Sequence, residues 1–235
     1  ELLEDEPNNL NYLEVYIDAL LQLERFEQMI VKLDVFEDNI GVSEYISMMK
    51  IETYNLLGNG DKVVEELEKL TNAFPYETRY MSILAETYIQ SGRDKDALDL
   101  YLKVKQLNPE DPYINTSLLE YYQKHGELDK AFEEFILMIK NKNLDYKTKE
   151  QIYEYWFDSK VESEKLVEEA ELAGKAFLET YPDKELGYYV IGTVHYNSAD
   201  YATAQKYYLD AIARDSSSFM SWYQLIFTDM ELNKA

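Results

Sequence analysis

A spacing of 34 residues recurs along the middle of the chain and constrains its fold more than any other feature. Glycines, tyrosines, prolines and two further apolar columns repeat in the same register. The recurring sets are Gly58, Gly92 and Gly126; Tyr54, Tyr88 and Tyr122; Leu67, Tyr101 and Phe135; Val63, Ala97 and Ala131; and Pro75 with Pro109. Five columns in one register predict that a single supersecondary unit is stacked several times.

The clearest unit spans residues 185–218, where two apolar-periodic runs flank a polar break at Asn197–Asp200. In each run the apolar residues recur three and four positions apart, as on one face of a helix. They are Tyr188, Ile191, Gly192 and His195 in the first run, and Ala204, Tyr208 and Ala211 in the second. Small residues alternate with large ones, which lets two helices pack closely. The unit is therefore predicted to be a helical hairpin.

This pattern resembles the tetratricopeptide repeat (TPR). The family's small residues correspond to Gly192, Ala204 and Ala211, its aromatic residues to Tyr188 and Tyr208, and its inter-helix turn to Ala199–Tyr201. The resemblance covers nearly the whole chain, with about six full repeats. It implies an all-α fold, a right-handed superhelical α-solenoid of antiparallel helix pairs, that binds other proteins.

The 34-residue frame predicts one array over residues 1–235, as a piece of a longer array. Its repeats are 10–43, 44–77, 78–111, 112–145, 146–184 and 185–218, with 219–235 as the first helix of a partial repeat. The fifth repeat is five residues too long, and we expect the extra residues in the turn near Asp158–Lys165. Residues 1–9 are predicted to be the tail of an earlier hairpin.

Some positions depart from the repeat pattern. Lys50 occupies an apolar column, and Gly174 stands where Tyr208 represents an aromatic residue. Glu24 and Lys160 replace the glycine that ends the first helix. Such departures are ordinary in the family and leave the predicted fold unchanged.

Composition narrows the classes of partner. The net charge of −23 argues against nucleic acid and anionic membrane surfaces and permits a basic protein or peptide. No apolar run approaches the ~20 residues that span a bilayer, so we expect no membrane insertion in this segment. The chain has no cysteine and no visible signal peptide, which slightly favours the cytoplasm without determining the compartment.

The residues that could carry catalysis are few. His125 lies beside Gly126 in a predicted turn, and His195 is predicted to be a packed core residue. The sequence contains no HExxH, Gly-rich phosphate loop, GxSxG or Cys/His metal spacing. We therefore predict no enzyme activity, no cofactor and no metal.

One acidic residue recurs at the same position in five successive first helices. We call this set the acidic column: Asp18, Glu52, Glu86, Glu120 and Glu154. Leu84 and Tyr88 bracket Glu86 by two residues each, so the carboxylate points almost directly away from the packing seam. The family resemblance implies that these positions line a concave groove that holds an extended peptide or a partner helix. A solvated helix face explains the same pattern without a ligand.

The acidic column ends toward the C-terminus, where Thr193 and Phe227 take its position. The groove positions there are predicted to become aromatic, at Tyr189, Tyr196, Tyr223 and Phe227. Such a surface suits the stems of Lys or Arg, by cation–π contact, or a sugar ring. The alternative without a ligand is that tyrosines occur at these positions because tyrosine is abundant in this chain.

Three hypotheses for function follow. The first is a non-catalytic scaffold whose acidic groove binds a basic extended or helical segment of a partner. The second is self-assembly or intramolecular packing through the groove or the open C-terminal edge, because the helix from Phe219 leaves Trp222 and Leu225 without a partner hairpin. The third is carbohydrate binding at the aromatic end of the groove.

Overall fold

The computed structural model describes residues 8–158 and 164–234. Within these ranges the chain forms thirteen α-helices and no strand. The helices are α1 Leu10–Gln22, α2 Phe26–Ile40, α3 Glu44–Leu56, α4 Gly60–Ala73, α5 Thr78–Gln90, α6 Asp94–Leu107, α7 Ile114–Lys124, α8 Leu128–Lys140, α9 Tyr146–Asp158, α10 Glu164–Thr180, α11 Leu186–Asn197, α12 Tyr201–Arg214 and α13 Phe219–Leu232.

The all-α fold of paired helices predicted from the sequence is confirmed. Short turns join α1 to α2, α3 to α4, α5 to α6, α7 to α8 and α11 to α12, and each of these pairs packs together. The chain divides into two compact units, Glu1–Pro109 and Glu110–Ala235. The first contains α1–α6 and the second contains α7–α13. A single array with a right-handed superhelical path stays a prediction.

The first unit builds its core from one apolar face of each helix. Leu13, Ile17 and Leu20 lie three and four residues apart on α1, and all are buried. They form one cluster with Met29, Leu33 and Phe36 of α2 and with Ile46 of α3. A first helix thus packs on its own second helix and on the next hairpin.

Aromatic residues carry much of the core of the second unit. The Phe135 ring on α8 stacks on the buried Trp156 ring of α9, with centroids 5.2 Å apart. Farther along, Ala204, Tyr208 and Ile212 of α12 form a cluster with Leu225 of α13. Leu225, which was predicted to lack a partner hairpin, is therefore packed against the preceding hairpin.

The second residue after α1, α3, α5, α7 and α11 adopts a left-handed conformation, whether or not it is glycine. Gly92 has φ of +76°, and the equivalent Glu24 and Ala199 have φ of +53° and +58°. In each case the following N–H donates to a carbonyl in the last helical turn, as Arg93 does to Tyr88 at 2.8 Å. The turn geometry is thus retained where the glycine is absent. Lys160 lies outside the described residues.

Of two further expectations, one is corrected by the structure and one falls outside the described residues. His195 is not a core residue: about a third of its side chain is exposed, its ring stacks on Tyr207, and its Nδ1 lies 3.2 Å from the Asp200 carboxylate. Its position at the end of α11, where the turn opens, explains that exposure. The long turn expected near Asp158–Lys165 includes residues 159–163, which lie outside the described residues, as do residues 1–7.

Candidate protein-binding surface

In the first unit the acidic column has three members, one on each first helix. Asp18 lies on α1, Glu52 on α3 and Glu86 on α5, and all three side chains are exposed. Buried residues flank Glu86 on both sides, at Ala85 and Tyr88. The helix periodicity therefore points the carboxylates away from the core, as the sequence predicts.

The acids of α1 act electrostatically on α3. Burial raises the pKa of the Tyr45 hydroxyl, and the carboxylates of Glu14 and Asp18 raise it further. Negative charge disfavours formation of the phenolate only at short range. The carboxylates on α1 therefore lie close enough to the Tyr45 hydroxyl on α3 to make its surroundings more negative.

In the second unit the acidic column continues with Glu120 on α7 and Glu154 on α9, both exposed. Glu150 lies one turn before Glu154. Burial raises the pKa of the Glu150 carboxyl, and the nearby Glu185 and Glu154 carboxylates raise it further. The start of α9 is thus a place where added positive charge would be favourable.

A cleft of about 180 Å³ opens between α7 and α9 beside Glu120. Its apolar wall includes Leu119, Ile152 and the buried Trp156, and Tyr155 lies at the same cleft with 70% of its surface exposed. An apolar wall with a carboxylate and an aromatic ring beside it suits a long cationic side chain, whose stem is apolar and whose end is charged.

The acidic column lies apart from the ion pairs of the described residues. Among the described residues, none of its five members forms an ion pair or a hydrogen bond with another side chain. Some other carboxylates are paired: Glu44 with Arg79, Glu68 with Arg93 and Asp129 with Lys165. Within the described ranges, the negative charge of the column is therefore not compensated by an ion pair.

The four aromatic residues predicted at the C-terminal end are in two different situations. Tyr189 and Tyr196 are half-buried and pack against the cluster that contains Tyr208 and Leu225. Tyr223 and Phe227 are exposed on α13, with ring centroids 4.7 Å apart. Only the α13 pair thus offers an open aromatic surface.

A buried charged cluster was not predicted. The Lys50 ammonium, on α3, lies 2.6 Å from Asp34, 2.9 Å from Glu37 and 3.0 Å from Glu66, and Lys69 pairs with the last two. Burial alone would lower the pKa of Lys50, but these hydrogen bonds raise it above its usual value. The sequence did contain a signal for this cluster, because Lys50 occupies a column that is otherwise apolar. The acidic residues of the preceding helix, Asp34 and Glu37, could have been recognised as its partners.

Lys149, on α9, is a second buried lysine, with 0% of its surface exposed. Its ammonium donates to the Asn141 carbonyl and the Tyr181 hydroxyl and lies 4.6 Å from the centre of the Tyr181 ring. Burial lowers the pKa of Lys149 to about 8, and the Asp145 carboxylate only partly opposes this effect. Its location in the core could not be read from residue type.

Two further findings concern membranes and metals. Across the described ranges, no helix has both the length and the apolar composition needed to cross a membrane. In the same part of the chain no three acidic or histidine side chains are grouped as metal ligands.

Comparison with known proteins adds one partial family match. Residues 46–111, which include Glu52 and Glu86, match the model of the bacterial transcriptional activator domain. No curated protein sequence matches the chain.

Several solved structures are similar. The crystal structure of MamA is 16% identical, with a TM-score of 0.42, over 85% of this chain and 94% of that chain. A tetratricopeptide repeat protein from Parabacteroides merdae is 14% identical, with a TM-score of 0.49, over 96% and 88%. The C-terminal part of a TPR repeat-containing protein from Cytophaga hutchinsonii is 18% identical, with a TM-score of 0.49, over 86% and 78%.

Because these TM-scores are below 0.5, the assignment rests on the chain's own helices. Helices of 11 to 17 residues in consecutive pairs, a 34-residue period and a left-handed residue in the turn together define the class. The chain is a TPR-like helical repeat protein.

Proposed function

We propose that this chain is a non-catalytic interaction scaffold that binds a basic extended or helical segment of a partner protein through the acidic column. The observation that carries the proposal is the set of five exposed, equivalently placed carboxylates without an ion-pair partner among the described residues. Carboxylates that repel one another and have no internal counter-charge bind a cationic ligand favourably.

The cleft beside Glu120 supports a particular kind of anchor. Its apolar wall would accept the methylene stem of lysine or arginine, while Glu120 would pair with the charged end. Binding would therefore combine insertion of one cationic side chain into this cleft of the second unit with electrostatic attraction by the other column carboxylates. Recognition of an acidic partner is disfavoured by the same charges.

The test removes charge from the column and from a matched position elsewhere. In the first unit, Glu52→Gln with Glu86→Gln removes two column carboxylates. The control, Asp99→Asn with Glu133→Gln, removes two exposed carboxylates on the second helices α6 and α8, again without ion-pair partners among the described residues. Both double variants change the net charge by the same amount, so general attraction of a cation is weakened equally.

The probe is a set of fluorescent twelve-residue peptides rich in lysine and arginine, titrated at low and at physiological salt. We expect the column variant to bind about three- to tenfold more weakly, since exposed pairs contribute up to ~1 kcal/mol each. The control should lose much less, and affinity should fall as salt rises. Equal loss in both variants, or affinity independent of salt, would contradict the proposal.

The partial family match supports a second candidate. The matched residues 46–111 carry two column members, so a role in transcription activation would place Glu52 and Glu86 against a basic surface of another protein. The net charge of −23 disfavours direct contact with DNA. Binding of duplex DNA by this chain at physiological salt would contradict that assignment.

The carbohydrate alternative is less well supported. Two of its four aromatic residues, Tyr189 and Tyr196, are half-buried in packing contacts. The remaining pair, Tyr223 and Phe227, offers a small platform. Titration with oligosaccharides, followed by tyrosine and tryptophan fluorescence, would show a saturable change if sugars bind there.

A further inference from the structure

The cleft between α7 and α9 brings together three kinds of group that a flat cation can contact. Its wall is apolar and includes the buried Trp156. The Glu120 carboxylate lies beside this wall, and the amides of Gln123 and Gln151 line the same cleft. The exposed ring of Tyr155 also lines it. Negative charge, amide oxygens and an aromatic ring therefore border one small space inside the second unit.

The two amides of the cleft are available to a ligand. Within the part of the chain that the structure describes, neither the Gln123 nor the Gln151 side chain forms a hydrogen bond. Their oxygens can accept hydrogen bonds in addition to those that the Glu120 carboxylate accepts. A guanidinium presents several N–H donors in one plane, whereas an ammonium is a compact point charge. The guanidinium therefore uses this set of acceptors more completely.

The contacts of Arg93 show how this protein holds a guanidinium. The central carbon of the Arg93 guanidinium lies 4.0 Å from the centre of the Tyr88 ring. The same guanidinium pairs with the Glu68 carboxylate at 3.0 Å, and the Tyr88 hydroxyl donates to that carboxylate at 2.7 Å. A tyrosine ring and a carboxylate together thus form the environment of this arginine.

Two more of the chain's four arginines lie over tyrosine rings. Arg79 lies 5.1 Å from the centre of the Tyr80 ring and pairs with Glu44. Arg214, the only arginine of the second unit, lies 3.5 Å from the centre of the Tyr188 ring. The second unit therefore has a tyrosine and a carboxylate at the cleft, while its own arginine is engaged at Tyr188.

Lysines approach tyrosine rings less closely than Arg93 and Arg214 do. Four lysine ammonium groups lie between 4.6 and 5.9 Å from tyrosine ring centres, those of Lys32, Lys130, Lys149 and Lys184. This difference is expected, because a guanidinium is planar and weakly hydrated and an ammonium is strongly hydrated. Tyr155 beside Glu120 therefore resembles the surroundings of Arg93 more than those of a lysine.

We propose that the cleft beside Glu120 binds arginine in preference to lysine and anchors one arginine side chain of the partner's basic segment. The guanidinium stacks on the Tyr155 ring, pairs with the Glu120 carboxylate and donates to the amide oxygens of Gln123 and Gln151. The methylene stem packs on the apolar wall. This inference rests on the proposed function, because it names the residue that binds at one position of the acidic column.

Three fluorescent twelve-residue peptides test the preference. They share one sequence with lysines near both ends and differ only in the central residue, which is arginine, lysine or citrulline. Citrulline has the shape of arginine without its charge. Binding to the full chain is measured by fluorescence anisotropy at low salt, where exposed charges are least screened.

We expect the wild-type chain to bind the arginine peptide about fivefold more tightly than the lysine peptide, and the citrulline peptide more weakly than either. Glu120→Gln should remove the preference, because the carboxylate that accepts two guanidinium N–H groups is lost. Tyr155→Leu should reduce the preference by weakening the arginine peptide more than the lysine peptide, because the ring on which the guanidinium stacks is lost.

Two matched controls separate the cleft from the rest of the chain. Glu86→Gln removes a column carboxylate of the first unit and should weaken the arginine and lysine peptides equally. Tyr76→Leu removes an exposed tyrosine outside the column and should leave both affinities unchanged. Circular dichroism checks that each variant is folded.

The ratio of the arginine and lysine affinities tests this inference, whereas a loss common to both peptides tests the acidic column. Equal affinities, or a preference that Glu120→Gln leaves intact, would overturn the inference and leave the column proposal in place. Failure of all three peptides to bind would overturn both. A preference that depends on Glu120, with no loss in Glu86→Gln, would support the cleft alone. A concentration-dependent dimer of the chain that Glu120→Gln abolishes would assign the cleft to a second copy and overturn the inference.

Discussion

The ammonium of Lys50 lies 2.9 Å from the Glu37 carboxylate, with only 5% and 11% of the two side chains exposed. Asp34 and Glu66 complete the contacts of this ammonium within 3.0 Å. Hydrogen bonds from Lys69 and Lys50 overcome the effect of burial and lower the pKa of Glu37. Helices α2, α3 and α4 thus meet around a charged centre, in a column that other hairpins fill with neutral residues.

We expect Lys50→Met to destabilise the chain by about 3–5 kcal/mol, because three carboxylates would lose their common buried cation. Chemical denaturation measures the change in the free energy of unfolding. The control is Lys62→Met, which removes the exposed pair with Glu65 and should cost less than about 1 kcal/mol. Equal effects of the two substitutions would show that the buried cluster contributes no more than a surface pair.

Lys149 should make stability depend on pH in the alkaline range. Its pKa in the folded chain is about 8, below the ordinary value of 10.5, so the charged form is disfavoured by folding. Below about pH 8 both states are protonated and the full penalty applies. As pH rises from there towards about 10.5, the folded state releases its proton first, the unfolded state binds more protons, and stability rises.

The variant Lys149→Met isolates this effect, because it has no proton to release. The stability of the wild type relative to the variant should increase by about 2 kcal/mol between about pH 8 and pH 9.5, at 1.36 kcal/mol per pK unit. Parallel Tm measurements on the two proteins test this, since other titrating groups cancel in the difference. A constant difference across that range would contradict the assignment.

Gly192 and Tyr208 should be coupled through their contact. A Cβ at position 192 would approach the ring of Tyr208, which is fully buried and cannot move aside. Gly192→Ala should therefore destabilise by about 1–3 kcal/mol despite the higher helix propensity of alanine. In a Tyr208→Leu background the same substitution should be neutral or stabilising, which a double-mutant cycle measures. The control Gly60→Ala meets no atom within 4 Å and should not destabilise.

Replacing Ala199 with glycine should stabilise the folded chain. It holds φ of +58°, a conformation that costs a residue with a Cβ about 1–2 kcal/mol. Part of the gain is lost because glycine has more freedom in the unfolded chain. We expect Ala199→Gly to raise the free energy of unfolding by about 0.5–1 kcal/mol, and the reverse change Gly92→Ala to lower it by about 1 kcal/mol. A destabilising effect of Ala199→Gly in thermal unfolding would be inconsistent with strain at this turn.

The periodicity of the sequence was sufficient to predict the helices. Apolar residues three and four apart, a turn residue every 34 and a proline after the second helix in two hairpins specify where helices begin and end, because these are local properties of the backbone. The exposure of Glu86 and of the other column residues followed from the same geometry. The sequence did not predict the left-handed conformation of Glu24 and Ala199, which the hairpin imposes on residues that do not favour it.

What needed the tertiary structure was the pairing of side chains across helices. Lys50 and Lys149 are both lysines in buried columns, yet one is surrounded by carboxylates and the other by a carbonyl and a tyrosine. Residue type and spacing cannot distinguish them, since each environment is assembled from segments up to 32 residues apart.

The sequence by itself thus determined the class of fold and the outward acidic column, which depend on one helix at a time. The tertiary structure decided which charges are neutralised by ion pairs and which lysines are buried, because both depend on what neighbouring helices bring into contact.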